Sequence, residues 1–103
     1  MTRGTTPVYE ITVKDFDTLE GHEVEVTLKQ KDSLCVFHHD EVEIEDNVIT
    51  VQLSQEQTLA FGKGSVKMQV RGIDSTGTAW ASNIVTLPIN PILRDGEIEY
   101  EGV

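Results

Sequence analysis

The chain has 103 residues and 18 acidic against 8 basic side chains, a net charge of -10, so its long-range field repels phosphate backbones and nucleic acid is not an expected partner. Its length is that of one domain, able to bury roughly two thirds of its unfolded surface without help from a metal or a disulfide. Cys35 is the single cysteine, which excludes an internal disulfide and suits assembly in a reducing cytoplasm.

Strand signals separated by turn signals recur at short spacing, the pattern of a sandwich or barrel rather than of β-α-β units. The first strand is expected from Val8 to Val13, with Tyr9, Ile11 and Val13 on one face. An acidic turn through Asp15, Asp17 and Gly21 ends it. In the second strand Val24, Val26 and Leu28 alternate with Glu23, Glu25, Thr27 and Lys29, the cleanest period of two in the chain. Lys31, Asp32 and Ser33 make a turn, Leu34 to His38 a third short strand, and Val42 to Ile44 a fourth before the turn at Asp46 and Asn47.

The fifth strand, Val48 to Leu53, turns Ile49, Val51 and Leu53 to one side and Thr50 and Gln52 to the other. Ser54 then stands three residues before Gln57, the spacing of a capping box in which each side chain satisfies the other residue's amide. Gly62 and Gly64 follow quickly, so one or two helical turns are predicted, with Leu59 and Phe61 packed inward. Such a segment would carry the chain from one sheet to the other.

In the sixth strand Val66, Met68 and Val70 alternate with Lys67, Gln69 and Arg71. Ile73 breaks the parity, and a bulge near Gly72 is predicted to return it to the core side. Asp74-Ser75-Thr76-Gly77 reads as a four-residue hairpin loop. The seventh strand, Thr78 to Leu87, holds the only tryptophan, Trp80. Its parity slips around Ser82 and Asn83, so alternation leaves the facing of Trp80 open, although a lone tryptophan is usually packed in the core with its N-H satisfied.

Pro88 and Pro91 remove two amide donors, so the chain beyond Pro88 is not expected to continue as a regular central strand. The expected organisation is a β-sandwich domain over residues 1–90 and an extended acidic C-terminal tail over residues 91–103. Ile89, Ile92, Leu93, Ile98 and Tyr100 make this end too apolar for a simple solvated terminus, and they are the candidate partner-interface residues. Either Ile92 and Leu93 cover the end of the sandwich while the last residues fray, or the tail or an open sheet edge adds to a neighbouring subunit.

No constellation spells out a reaction, so no catalytic, cofactor-binding or metal residues are assigned. Cys35 reads as a small thiol on a strand, and His38 and His39 follow it too closely on an extended segment to serve it as a base. His38, His39, Asp40 and Glu41 are potential ligands, but neighbours on an extended chain point to opposite faces and cannot all converge on a metal, so the run reads as an exposed polar turn. Gly62-Lys63-Gly64-Ser65 lacks the upstream glycine of a phosphate-binding loop and leads into a strand. The Asp74 turn has no second copy to supply the paired carboxylate of an aspartic protease. Glu41, Glu43, Glu45 and Asp46 are explained by alternation as the solvated face of a strand. Membrane association is not expected either, because no apolar run approaches the roughly 20 residues of a bilayer span and Met1 to Pro7 has no apolar core like that of a signal peptide.

Three stretches carry a family resemblance: Arg3-Gly4-Thr5-Thr6-Pro7, the segment from Asn47 to Phe61 (NVITVQLSQEQTLAF), and Met68-Gln69-Val70-Arg71 followed by Ala81-Ser82. Together they resemble small phage or prophage structural proteins of Gram-positive bacteria and are similar to the N-terminal domain of phage baseplate upper proteins, over Arg3 to about Leu93. The resemblance implies an all-β fold, an immunoglobulin-like antiparallel β-sandwich of about seven strands with one short helical turn. It also implies a non-enzymatic tail or baseplate component that needs no cofactor, with other tail or baseplate proteins or further copies of itself as partners, in the bacterial cytoplasm during assembly and then in the virion. The receptor-binding role of the longer proteins' later domains does not carry over. The alternative is an immunoglobulin-like binding module outside the virion, at a cell surface or on a carbohydrate. Six aromatic residues without an obvious exposed row argue against sugar binding.

Overall fold

Apolar alternation sets which face of each strand is buried, and eight strands obey it in the computed structural model, which describes residues 1–102. They are β1 (Val8–Thr12), β2 (His22–Gln30), β3 (Ser33–Phe37), β4 (Glu43–Glu45), β5 (Val48–Gln52), β6 (Gly64–Asp74), β7 (Ala79–Ala81) and β8 (Val85–Ile89). One antiparallel sheet has the order β1-β5-β4; the other runs β3-β2-β6 and continues onto β7 and β8, which share the far edge of β6. The fold is thus an all-β sandwich. Relative to the immunoglobulin arrangement, which places strands 1, 2, 5 and 4 opposite 3, 6 and 7, β2 sits in the other sheet.

The two inner faces form one core. Val24, Val26 and Leu28 of β2 and Val66, Met68 and Val70 of β6 meet Ile49 and Val51 of β5, with Leu53 and Phe61 closing the end. Most of these side chains are wholly removed from water, each worth about 1.5–3 kcal/mol of hydrophobic transfer. Helix α1 (Gln55–Leu59) is the crossover between the sheets. Its capping box forms as the spacing requires: the Gln57 amide donates to Ser54 Oγ at 3.1 Å and the Ser54 amide to Gln57 Oε1 at 2.7 Å. Phe61 packs inward as expected, but Leu59 is only half-buried and Thr58 takes the fully buried place, its hydroxyl donating to Thr5 O at 2.9 Å.

Two sequence expectations are corrected. The predicted bulge near Gly72 is absent: β6 pairs β2 in unbroken register from Lys67 to Asp74, and Ile73 stays on the wet face. Gly72 keeps the inward place because the indole of Trp80, its direct cross-strand partner, lies on it. The extra residue is instead on the opposite strand. Arg71 pairs Ala81 whereas Met68 pairs Val85, so Ser82–Ile84 spans one residue more than the strand beside it. This bulge divides the expected single seventh strand into β7 and β8. Ser82 Oγ fills the gap in the ladder by accepting from the Val70 amide at 2.9 Å.

Pro88 lies inside β8 opposite Ser65, at a sheet edge where a missing donor is tolerated. Residues 1–3 run alongside that edge: the Asn90 amide donates to Met1 O at 2.7 Å and the Arg3 amide to Asn90 O at 3.1 Å. The exposed polar turn expected at His38–Glu41 is a 3-10 turn, His39–Glu41, which the Glu41 carboxylate closes by accepting from the His38 amide at 3.0 Å.

Candidate interaction surface

The five candidate interface residues near the C-terminus do not share one environment. Ile89 is 7% exposed and belongs to the core, so it cannot present itself to a partner. Ile92 is half-buried beside Gly4, while Leu93 stands fully in solvent instead of covering the sandwich. Ile98 and Tyr100 are 80% and 96% exposed.

The backbone of this segment is nonetheless held. Arg3 uses its whole guanidinium: Nε donates to Phe61 O at 2.6 Å, one terminal nitrogen to Leu59 O at 2.9 Å, and the other to the Asp95 carboxylate at 2.6 Å. It thereby satisfies carbonyls at the end of α1, where a cation is favoured, and ties the tail to them. Further along, the Gln55 amide group brackets Ile98, accepting from its N-H at 2.7 Å and donating to its carbonyl at 2.9 Å. The tail is pinned by its main chain and turns its side chains outward.

The second exposed surface is the outer face of the β3-β2-β6 sheet, and sequence reasoning did not single it out. Lys29 of β2 and Lys67 and Arg71 of β6 project from it, with Lys31 and Lys63 at one end. These five of the chain's eight basic residues line one shallow cleft of about 850 Å³, with Glu25 its carboxylate among the described residues. The register sets Lys29 directly opposite Lys67, a like-charge pair that destabilises a sheet by a few tenths of a kcal/mol to about 1 kcal/mol. Among the described residues the close ion pair made by a Lys or Arg is Arg3 with Asp95, so none of the five cations makes one, although Glu25 stands directly opposite Arg71 in the register. Leu34 and Ile84, 61% and 59% exposed, and Ile73 lie on the same face. Apolar side chains left in water together on one face are a feature of contact surfaces.

The groups weighed for chemistry are occupied structurally. Burial, and secondarily the Glu41 charge, pushes the Cys35 thiol above its ordinary range, which disfavours the nucleophilic thiolate. His39 Nδ1 accepts from the Val24 amide at 3.1 Å, fixing the 3-10 turn against β2. Among the described residues no three His, Cys, Asp or Glu side chains converge as a metal site. The Asp74 carboxylate accepts from the Thr76 hydroxyl at 2.6 Å and from the Thr78 and Thr76 amides at 2.9 and 3.0 Å, and these bonds hold it below the usual carboxylate range. It organises its own hairpin loop. Trp80 faces the core side of β7 and donates Nε1-H to His22 Nδ1 at 3.1 Å, within an aromatic group completed by Phe16. Compared with protein families, with curated proteins and with solved structures, the chain matches none.

Proposed function

We propose that this chain is a structural subunit of a phage or prophage virion, placed in the tail or baseplate, and that it works by binding other subunits rather than by catalysis. The observation that carries the binding role is the outer face of the β3-β2-β6 sheet, where unpaired Lys29, Lys67 and Arg71 stand beside exposed Leu34 and Ile84. The cations favour an acidic partner and the exposed leucine and isoleucine favour a protein one. A raised thiol pKa and histidines committed to the fold suit a module without a reaction to perform. The virion assignment rests on the likeness of residues 3–7, 47–61, 68–71 and 81–82 to small phage structural proteins.

Affinity capture from induced lysogens, with mass spectrometry of purified particles, tests it. Recovery of tail or baseplate proteins, and of the chain itself in particles, is the expected result. If the domain is absent from particles and captures no tail protein, the virion role is rejected, and a binding module outside the virion takes its place.

A further inference from the structure

We propose that the basic outer face of the β3-β2-β6 sheet receives the acidic C-terminal segment, residues 95–101, of a second copy of this chain. This inference rests on the assembly reading and names a partner for it.

Charge complementarity comes first. The cleft on this face holds Lys29, Lys31, Lys63, Lys67 and Arg71 with Glu25, and Glu23 stands on the same side of β2, whereas the segment holds Asp95, Glu97, Glu99 and Glu101. Both sets are exposed, and apart from Asp95 neither forms an ion pair within its own copy. Lys29 and Lys67 repel each other across the ladder until an anion lies between them.

Spacing agrees as well. Glu97 and Glu101 are four residues apart, as are Lys67 and Arg71. In extended conformation either interval spans about 13–14 Å, so two carboxylates can reach two cations along β6. The segment is already partly ordered, since Gln55 holds the Ile98 main chain and Arg3 holds Asp95. Docking therefore gives up less conformational entropy than a free tail would. The two patches differ, so the contact is heterologous, and successive copies either close on themselves or extend.

The test is charge exchange. One variant carries Glu97→Lys, Glu99→Lys and Glu101→Lys; another carries Lys29→Glu, Lys67→Glu and Arg71→Glu. All six positions are on the surface, and circular dichroism verifies that each variant folds. Light scattering on the parent should give a mass above the 11.5 kDa monomer, with association weakening about tenfold or more from about 0.05 M to about 0.5 M salt as the charges are screened. Each variant alone should be monomeric, and the equimolar mixture should regain the parent's mass. A parent that stays monomeric, or variants that associate as the parent does, would overturn the proposal. So would a monomeric parent that retards a DNA duplex, which would reassign the face to a phosphate backbone. A monomeric chain that still captures tail proteins from lysogens sinks this inference alone. Charge-dependent association without such capture sinks the virion reading alone.

Discussion

Gly72→Ala is the sharpest test of how the sheet is built. A methyl group at Gly72 would lie 2.3 and 2.4 Å from Cζ2 and Cε2 of Trp80 and 2.9 Å from Nε1. Carbon atoms pack at about 3.5–4.0 Å, so the indole must lift by about 1.2 Å or more. That movement breaks the 3.1 Å bond from Trp80 Nε1 to His22 Nδ1 and loosens the packing on Phe16. Overpacking costs about 1–3 kcal/mol and the hydrogen bond about 1 kcal/mol, against a gain of about 0.5–1 kcal/mol for replacing a strand glycine. The expected net loss is about 2 kcal/mol, or a fall in Tm of about 8–16 °C for a domain of this size. Urea denaturation followed by Trp80 fluorescence measures it directly. The decisive arm is the same substitution in a Trp80→Ala background, read by far-ultraviolet circular dichroism. There the methyl no longer meets the indole, so the change should stabilise by about 0.5–1 kcal/mol. Equal cost in both backgrounds, or a Gly72→Ala protein within about 0.5 kcal/mol of the parent, would refute the role assigned to the glycine.

Ser82→Ala leaves the Val70 amide without its acceptor at the bulge; thermal denaturation should show a loss of about 1–3 kcal/mol, with faster amide exchange at Val70. Ser54→Ala removes the cap of α1 and should cost about 1 kcal/mol, largely restored by Ser54→Asp, both read by urea midpoints. Asp74 is held below its ordinary pKa by hydrogen bonds from Thr76 and Thr78, so its contribution is complete above about pH 4 and lost as pH falls through the lower folded value. Asp74→Asn should therefore lower Tm at neutral pH, and the gap to the parent should close on acidification; a gap independent of pH would mean that the carboxylate does not organise the turn.

Much of the fold was legible because it depends on local periodicity. Val24, Val26 and Leu28, or Ile49, Val51 and Leu53, can face a core only in a pleated strand, and they do so. The capping box was equally readable, since Ser54 and Gln57 need only each other. The parity of Val66 to Ile73 was misread because its cause is not local. A one-residue slip can be repaired by a bulge on that strand, or tolerated where a glycine makes room for a partner's ring. The choice between Gly72 and Ser82 depends on the cross-strand register, which sets Trp80 on Gly72. The parity slip at Ser82 and Asn83 was the visible sign of the true bulge.

The candidate surface was less legible, for a reason that lies in averaging. A net charge of -10 describes the field far from the molecule, whereas a docking partner meets the field of one face. Lys29 and Lys67 are 38 positions apart in the chain, and only the pairing of β2 with β6 makes them neighbours. Alternation had already put Lys29, Lys67 and Arg71 on the wet sides of their strands. What it could not supply was that the two wet sides are one surface, on which five cations gather around Glu25 while most of the acidic residues lie elsewhere in the chain. Exposed apolar residues sharpen the point. Leu34 and Ile84 have the hydrophobicity of core residues but are left in water, at a transfer cost of about 1.5–3 kcal/mol each relative to burial. A monomer gains nothing from placing them beside unpaired lysines, whereas a partner that brings carboxylates and apolar side chains together removes both penalties in one contact.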